Sequence, residues 1–197
     1  MPSLLEILGF FTGIIGVYLT IKRSPFCWPI SALNVMLYGV IFYDAKLYAD
    51  MGLQGVFLVF SVYGWHAWTK GSENYLPDSS PLQVKQSTIK EIAVGLLITI
   101  PIAIILGYIL KNQTNADYPH IDSMLASLSI FAQILQTRKR LENWYIWIVV
   151  DAVYILIYVS KDLYLSAILY AVFLALAIQG IIEWKRVLGF STKNFSQ

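Results

Sequence analysis

Four side chains on one short stretch, ENWYIWIVVDAVY, could together hold a ligand: Trp144, Trp147, Asp151 and Tyr154. On a helix turning about 100° per residue, Trp147 lies about 60° from Trp144, Asp151 about 20° and Tyr154 about 80°, with Tyr158 at about 40°. They form one stripe of indoles and phenols around a carboxylate. Aromatic faces and a carboxylate both attract positive charge, so the stripe suits a planar cationic ring carrying hydroxyls. The residues between them are apolar, as in a membrane span. If Trp144 marks the membrane interface, Asp151 is about 10 Å deeper, most of the way to the bilayer centre. An ionisable group there costs about 2.5–3.5 kcal/mol on insertion scales and faces a cavity or a partner. Lys90 stands at the end of the fourth span, and no Lys or Arg lies deeper in any span to pair with it. Trp144 can equally be read as an interfacial belt residue, whereas Trp147, one turn deeper, is better placed for a pocket.

The elements that position this stripe follow from composition. The chain is 57% hydrophobic and 13% charged, with mean hydropathy +0.62, where soluble domains are about 25% charged. An all-α integral membrane protein is implied. A span needs roughly 20 apolar residues, and seven are read, over 4–21, 28–43, 47–69, 89–110, 121–137, 144–160 and 163–183. The first has its charges after the apolar run and no small-residue cleavage site, so it is expected to remain as a span rather than a signal peptide. With the N-terminus outside and the C-terminus cytoplasmic, 11 of the 14 Lys and Arg fall inside, as cytoplasmic loops prefer. Cys27 is the single cysteine, so no internal disulfide forms. No phosphate-binding loop, zinc helix or paired Cys/His spacing occurs; the expectation is no enzyme, no cofactor, no metal and no nucleic-acid partner. His66 and His120 lie in different halves and read as structural or interfacial.

Sliding the chain against itself by 116 positions reveals a repeat. Trp28 falls on Trp144, Tyr38 on Tyr154, Gly64 on Gly180 and Trp68 on Trp184, within 12 identities over the 47 positions of residues 22–68. Shared apolarity does not explain coincident Trp, Tyr and Gly. Three spans, one span and three spans give parallel repeats, the design in which a substrate sits at the repeat interface near the midplane. The expected division is a first three-helix repeat over 1–70, a linker and connecting helix over 71–111, and a second repeat with a cytoplasmic tail over 112–197. Pro101 is expected to bend the connecting helix. The first repeat presents Trp28, Ser31, Tyr38 and Phe42 on the equivalent stripe, with Asn34 at its edge, and Gln54 and Ser61 share a face of the third span. Amides in a span also serve as interhelical glue.

The segments TRKRLENWYIWIVVD, LYADMGLQ and YGWHAW resemble the PnuC family of bacterial nicotinamide riboside transporters, which show a WxxWxxxN or WxxWxxxD motif on the sixth helix. The resemblance spans almost the whole chain and is weakest in the linker and fourth helix. It implies two SWEET-like three-helix bundles, a homotrimer, and facilitated diffusion without ATP made one-way by a separate cytoplasmic kinase. It also implies substrate contacts at Trp144, Trp147 and Asp151, with Asn34 and Gln54 from the first half; Tyr154, Tyr38 and Ser31 join them by their place on the stripes. The motif ends here in Asp151, where many members have Asn. Nicotinamide riboside is the first reading for this inner-membrane protein because the family as a whole centres on it. Thiamine or another cationic vitamin is the alternative, and a seven-helix receptor a second one.

Overall fold

The computed structural model describes residues 4–44, 48–70, 83–113, 118–160, 162 and 164–194. Residues 47 and 163, which open two of the expected spans, and residues 71–82 of the expected linker fall outside these, as do the side chains of Phe42, Tyr48, Lys70 and Lys193. Seven helices are present among the described residues: α1 (Leu4–Ile21), α2 (Cys27–Asp44), α3 (Tyr48–Lys70), α4 (Ile89–Gln113), α5 (Pro119–Thr137), α6 (Asn143–Ser160) and α7 (Tyr164–Asn194). Their bounds follow the apolar segments closely except at α7, which continues about 11 residues past the expected end at Glu183. Helix propensity carries it on through Lys185 and Arg186, because charge ends an apolar span without ending a helix. Helix α4 is continuous through Pro101.

Four of these helices, α1, α4, α6 and α7, are long and apolar enough to cross a membrane by length and composition, and α2 contributes a shorter apolar segment. Helix α5 falls below that mark because Ser123, Ser127, Ser129, Gln133 and Gln136 lie along it. All five are buried, since α5 is packed by α3, α4 and α6 at once. A helix enclosed by protein meets its neighbours rather than lipid, so its polarity carries no transfer penalty once those groups are satisfied.

The 116-residue register recurs in the backbone. After α1, Arg23 adopts a left-handed conformation (φ 58°), and after α5 Lys139 does the same (φ 49°). The hydrogen bonds around them correspond: Arg23 N to Thr20 O and Ser24 N to Leu19 O in one turn, Lys139 N to Gln136 O and Arg140 N to Leu135 O in the other. Each turn then feeds a tryptophan into the next helix. The Trp28 ring lies so close to Gly64 that a Cβ there would overlap it, and Trp144 stands in the same relation to Gly180. Trp28 meets Trp68 edge to face with centroids 5.3 Å apart, and Trp144 meets Trp184 at 5.4 Å.

The repeats are joined by exchange. The Trp68 indole N–H donates to Thr137 O (3.0 Å), at the end of the other repeat's first helix, and Trp184 donates to Ile21 O (3.2 Å). Correspondingly, α3 packs on α5 and α7 on α1. Ile21, Trp28, Trp68, Leu141, Trp144 and Trp184 form one buried cluster. Both interhelical turns therefore lie at the same end of the molecule, an arrangement consistent with parallel repeats.

The segment before α4 is clamped onto the second of these turns. Lys85 N donates to Lys139 O (3.1 Å) and Leu141 N to Lys85 O (3.0 Å). Arg140 bonds Gln86 O (3.0 Å) and pairs with Glu91 (2.8 Å), while Ser87 N donates to the Glu142 carboxylate (2.8 Å). Thr88 and Glu91 satisfy each other's backbone N–H at the start of α4, a capping box. The charged residues of TRKRLEN thus anchor the connecting segment. Lys139 is buried, its ammonium 4.3 Å from the Trp68 ring centroid. Burial, opposed by Cys27 and reinforced by Arg23, pushes its pKa down to about 8.

Candidate functional site

Asp151 lies two helical turns into α6 and is only 3% exposed. Among the described residues no hydrogen bond or ion pair reaches its carboxylate. A buried charge left in that state is costly. Further along α6 stands a group of tyrosines. Tyr154 and Tyr158, four residues apart on α6, stack at 5.7 Å with rings 15° from parallel. Tyr170 from α7 lies across both, 4.8 Å from Tyr154 and 5.2 Å from Tyr158. Its hydroxyl shares a hydrogen bond with Tyr158, and it lies within electrostatic reach of Asp151. Phe173, the next ring along α7, meets Tyr170 edge to face at 5.7 Å.

Phe173 carries this aromatic row into the first half. A Cβ at Gly13 of α1 would stand 3.1 Å from Phe173 and 3.4 Å from the Asn34 amide nitrogen. Gly13 thus lets an α7 ring and an α2 amide approach the same point of α1. Asn34 Nδ2 donates to Gly9 O (2.7 Å) and Thr12 Oγ1 (3.0 Å). Those bonds hold α2 on α1 and fix the amide at the repeat boundary. Tyr38 packs on Gly9 and Ser31 on Gly16, so both sit on the glycine-bearing face of α1. Gln54 is half-buried on α3, and the repeat register carries it onto Tyr170.

The two tryptophans of the motif are separated in role by one turn. Trp144 is 2% exposed, inside the cluster at the end of the bundle. Its indole N–H and that of its counterpart Trp28 are buried with no hydrogen-bond partner among the described residues. Trp147 is half-buried and packs against that cluster from the side, between it and the Asp151 level of the helix. The structure therefore brings together Asp151 and Tyr154, links Asn34 to them through Phe173 and Gly13, and places Trp144, Ser31 and Tyr38 in interhelical packing. Helical spacing could not reach Tyr170 or Phe173, which belong to another helix. The repeat could have: Gln54, already singled out, maps onto Tyr170.

A carboxylate with no partner among the described residues, stacked rings and an amide of the first half thus lie along one row. The chain is 26% identical to the nicotinamide riboside transporter PnuC of Escherichia coli (strain K12), over 92% of this chain and 85% of that one. It is 25% identical to the riboflavin/roseoflavin transporter RibM of Streptomyces davaonensis, over 91% of this chain and 83% of that one. A crystal structure of the vitamin B3 transporter PnuC shares the fold, with TM-score 0.76 at 21% identity over 94% of this chain and 82% of that one. The profile of the nicotinamide mononucleotide transporter family matches residues 3–186, nearly the whole multi-pass helical body, and the chain belongs to that family of membrane transporters.

Proposed function

We propose that the protein carries nicotinamide riboside across the bacterial inner membrane by facilitated diffusion. The repeats over 1–70 and 112–197 alternate around a site at their interface, and residues 71–111 supply the linker and the connecting helix. One observation carries the choice of ligand: a buried carboxylate without a partner, beside three tyrosines. Nicotinamide riboside brings a permanently cationic pyridinium ring and ribose hydroxyls, which match the carboxylate and the amides of Asn34 and Gln54. The phosphorylated mononucleotide fits less well. Its phosphate would need a cation, no Lys or Arg lies deep within the spans, Lys90 standing at the end of the fourth, and Asp151 would repel it. Thiamine is the second reading, favoured by the same carboxylate because its thiazolium is also a fixed cation.

In this reading the end bearing the tryptophan cluster is cytoplasmic, since Lys22, Arg23, Lys85, Arg138, Lys139, Arg140, Lys185 and Arg186 gather there. The N-terminus is then outside. Helix α4 packs on α5 and exposes Leu97, Ile104 and Ile105, apolar surface available to lipid and to neighbouring copies in a homotrimer. A separate cytoplasmic kinase makes uptake one-way by phosphorylating the vitamin. Proteoliposomes loaded with buffer alone test the reading. Labelled nicotinamide riboside should accumulate to equal concentration inside and out without ATP or a proton gradient. Binding without flux would instead identify a receptor, and accumulation beyond equilibrium would overturn facilitated diffusion.

A further inference from the structure

The tyrosine trio is not explained by packing alone. Three phenols from two helices converge beside the molecule's buried carboxylate, and the equivalent place in the first repeat holds Tyr38, Phe42 and Gln54. The repeats are alike at their tryptophan ends, so this divergence is local. We propose that Tyr170 is a specificity-determining residue that, with Tyr154 and Tyr158, forms an aromatic wall selecting a positively charged heteroaromatic ring. The ring is taken by the second repeat. The uncharged, hydroxyl-bearing part of the ligand then faces Asn34 and Gln54 of the first. Two features make Tyr170 the discriminating member. It is the ring that touches both Tyr154 and Tyr158 and also Phe173, so it closes the wall between α6 and α7. It is also the position at which the other repeat carries an amide, Gln54, which lacks a ring face for a cation.

Attraction between a ring face and a cation depends on the ligand's charge, whereas shape complementarity does not. Charged and uncharged forms of one ligand therefore separate the two. This proposal rests on the reading of the protein as a carrier of a cationic vitamin, and the test keeps the two apart. Calorimetric binding would compare nicotinamide riboside with its reduced, uncharged dihydro form on the purified full chain and on Tyr170→Phe, Tyr170→Leu and Tyr170→Gln. The ratio of the two affinities, taken within one preparation, is insensitive to the fraction of folded protein.

The parent should prefer the cation. Tyr170→Leu and Tyr170→Gln should cut that preference by about 2- to 30-fold, and Tyr170→Phe, which keeps the ring, should retain it within about 3-fold. If Leu and Gln leave the ratio unchanged while the parent still binds the cation, the assignment of Tyr170 falls alone. If the parent binds neither nicotinamide riboside nor thiamine, the functional reading falls, and this inference with it. If Tyr170→Phe loses the preference as fully as Leu, the hydroxyl rather than the ring discriminates, and the aromatic wall is overturned.

Discussion

The two repeats are near copies at one end and differ in the middle. At the tryptophan end each has a left-handed turn residue, a tryptophan seated on a glycine, and an indole that donates across to the other repeat's first helix. One helical level deeper, Ser31 faces Trp147 across the register, Val35 faces Asp151 and Gln54 faces Tyr170. The difference separates two jobs. Holding two bundles together through alternate packings is a task the halves share equally, so symmetry serves it. A ligand with a charged ring at one side and hydroxyls at the other is asymmetric, and a site with equal halves would match only one side of it.

The largest expected effect lies in the middle. Asp151→Leu should abolish detectable binding of nicotinamide riboside or thiamine while leaving expression and thermal unfolding near the parent, because it removes a buried polar group that nothing in the unliganded protein satisfies. Binding by calorimetry at parental affinity would show that Asp151 is outside the site. At the shared end the expectation is equality. Gly64→Ala and Gly180→Ala each drive a Cβ into an indole, and overpacking of this kind costs about 1–3 kcal/mol. Both should lower the midpoint of thermal unfolding in detergent by similar amounts; loss at one site only would break the symmetry argument.

The exchanged indole bonds give a smaller, matched pair. Trp68→Phe and Trp184→Phe each remove one hydrogen bond to a backbone carbonyl, a loss of about 0.5–1.5 kcal/mol beyond the change in volume. The two variants should shift unfolding alike, and the double variant should exceed either.

Lys139 breaks the symmetry of the end itself and ties its stability to pH. Its pKa of about 8 lies below the ordinary 10.5, so from about pH 8 to 10.5 the unfolded chain holds more protons and stability rises with pH. Below pH 8 the burial penalty is fully present. Unfolding scans from pH 7.5 to 10 should show the parent gaining stability relative to Lys139→Met. Parallel profiles would mean that the ammonium is solvated.

Much of this architecture was legible in the sequence, for identifiable reasons. Spans are long apolar runs, and α1 begins and ends where that run does. The repeat was legible because a tryptophan seated on a glycine leaves two rare residues at a fixed separation. The exchanged bonds were not, since their acceptors are backbone carbonyls at Thr137 and Ile21, and a carbonyl leaves no mark in residue type. The enclosure of α5 was hidden for a related reason: its serines and glutamines read only as reduced apolarity until the helices around them are known. Asp151 was conspicuous as a lone acid in a span. The side chains that complete its surroundings belong to α7, beyond the reach of periodicity along α6. The extension of α7 past Glu183 shows the same limit, because hydropathy senses the bilayer's edge and the backbone does not.

The central claim, that the asymmetric middle recognises ligand charge through Asp151, is tested most directly by one comparison: calorimetric affinities of the parent and Asp151→Asn for nicotinamide riboside and for its uncharged dihydro form. The Asn variant keeps the shape and an acceptor and removes the charge. The account predicts that it weakens binding of the cation about tenfold or more, equivalent to about 1.4 kcal/mol, and leaves the uncharged form within a few-fold. Equal affinities of parent and variant for the cation would contradict it.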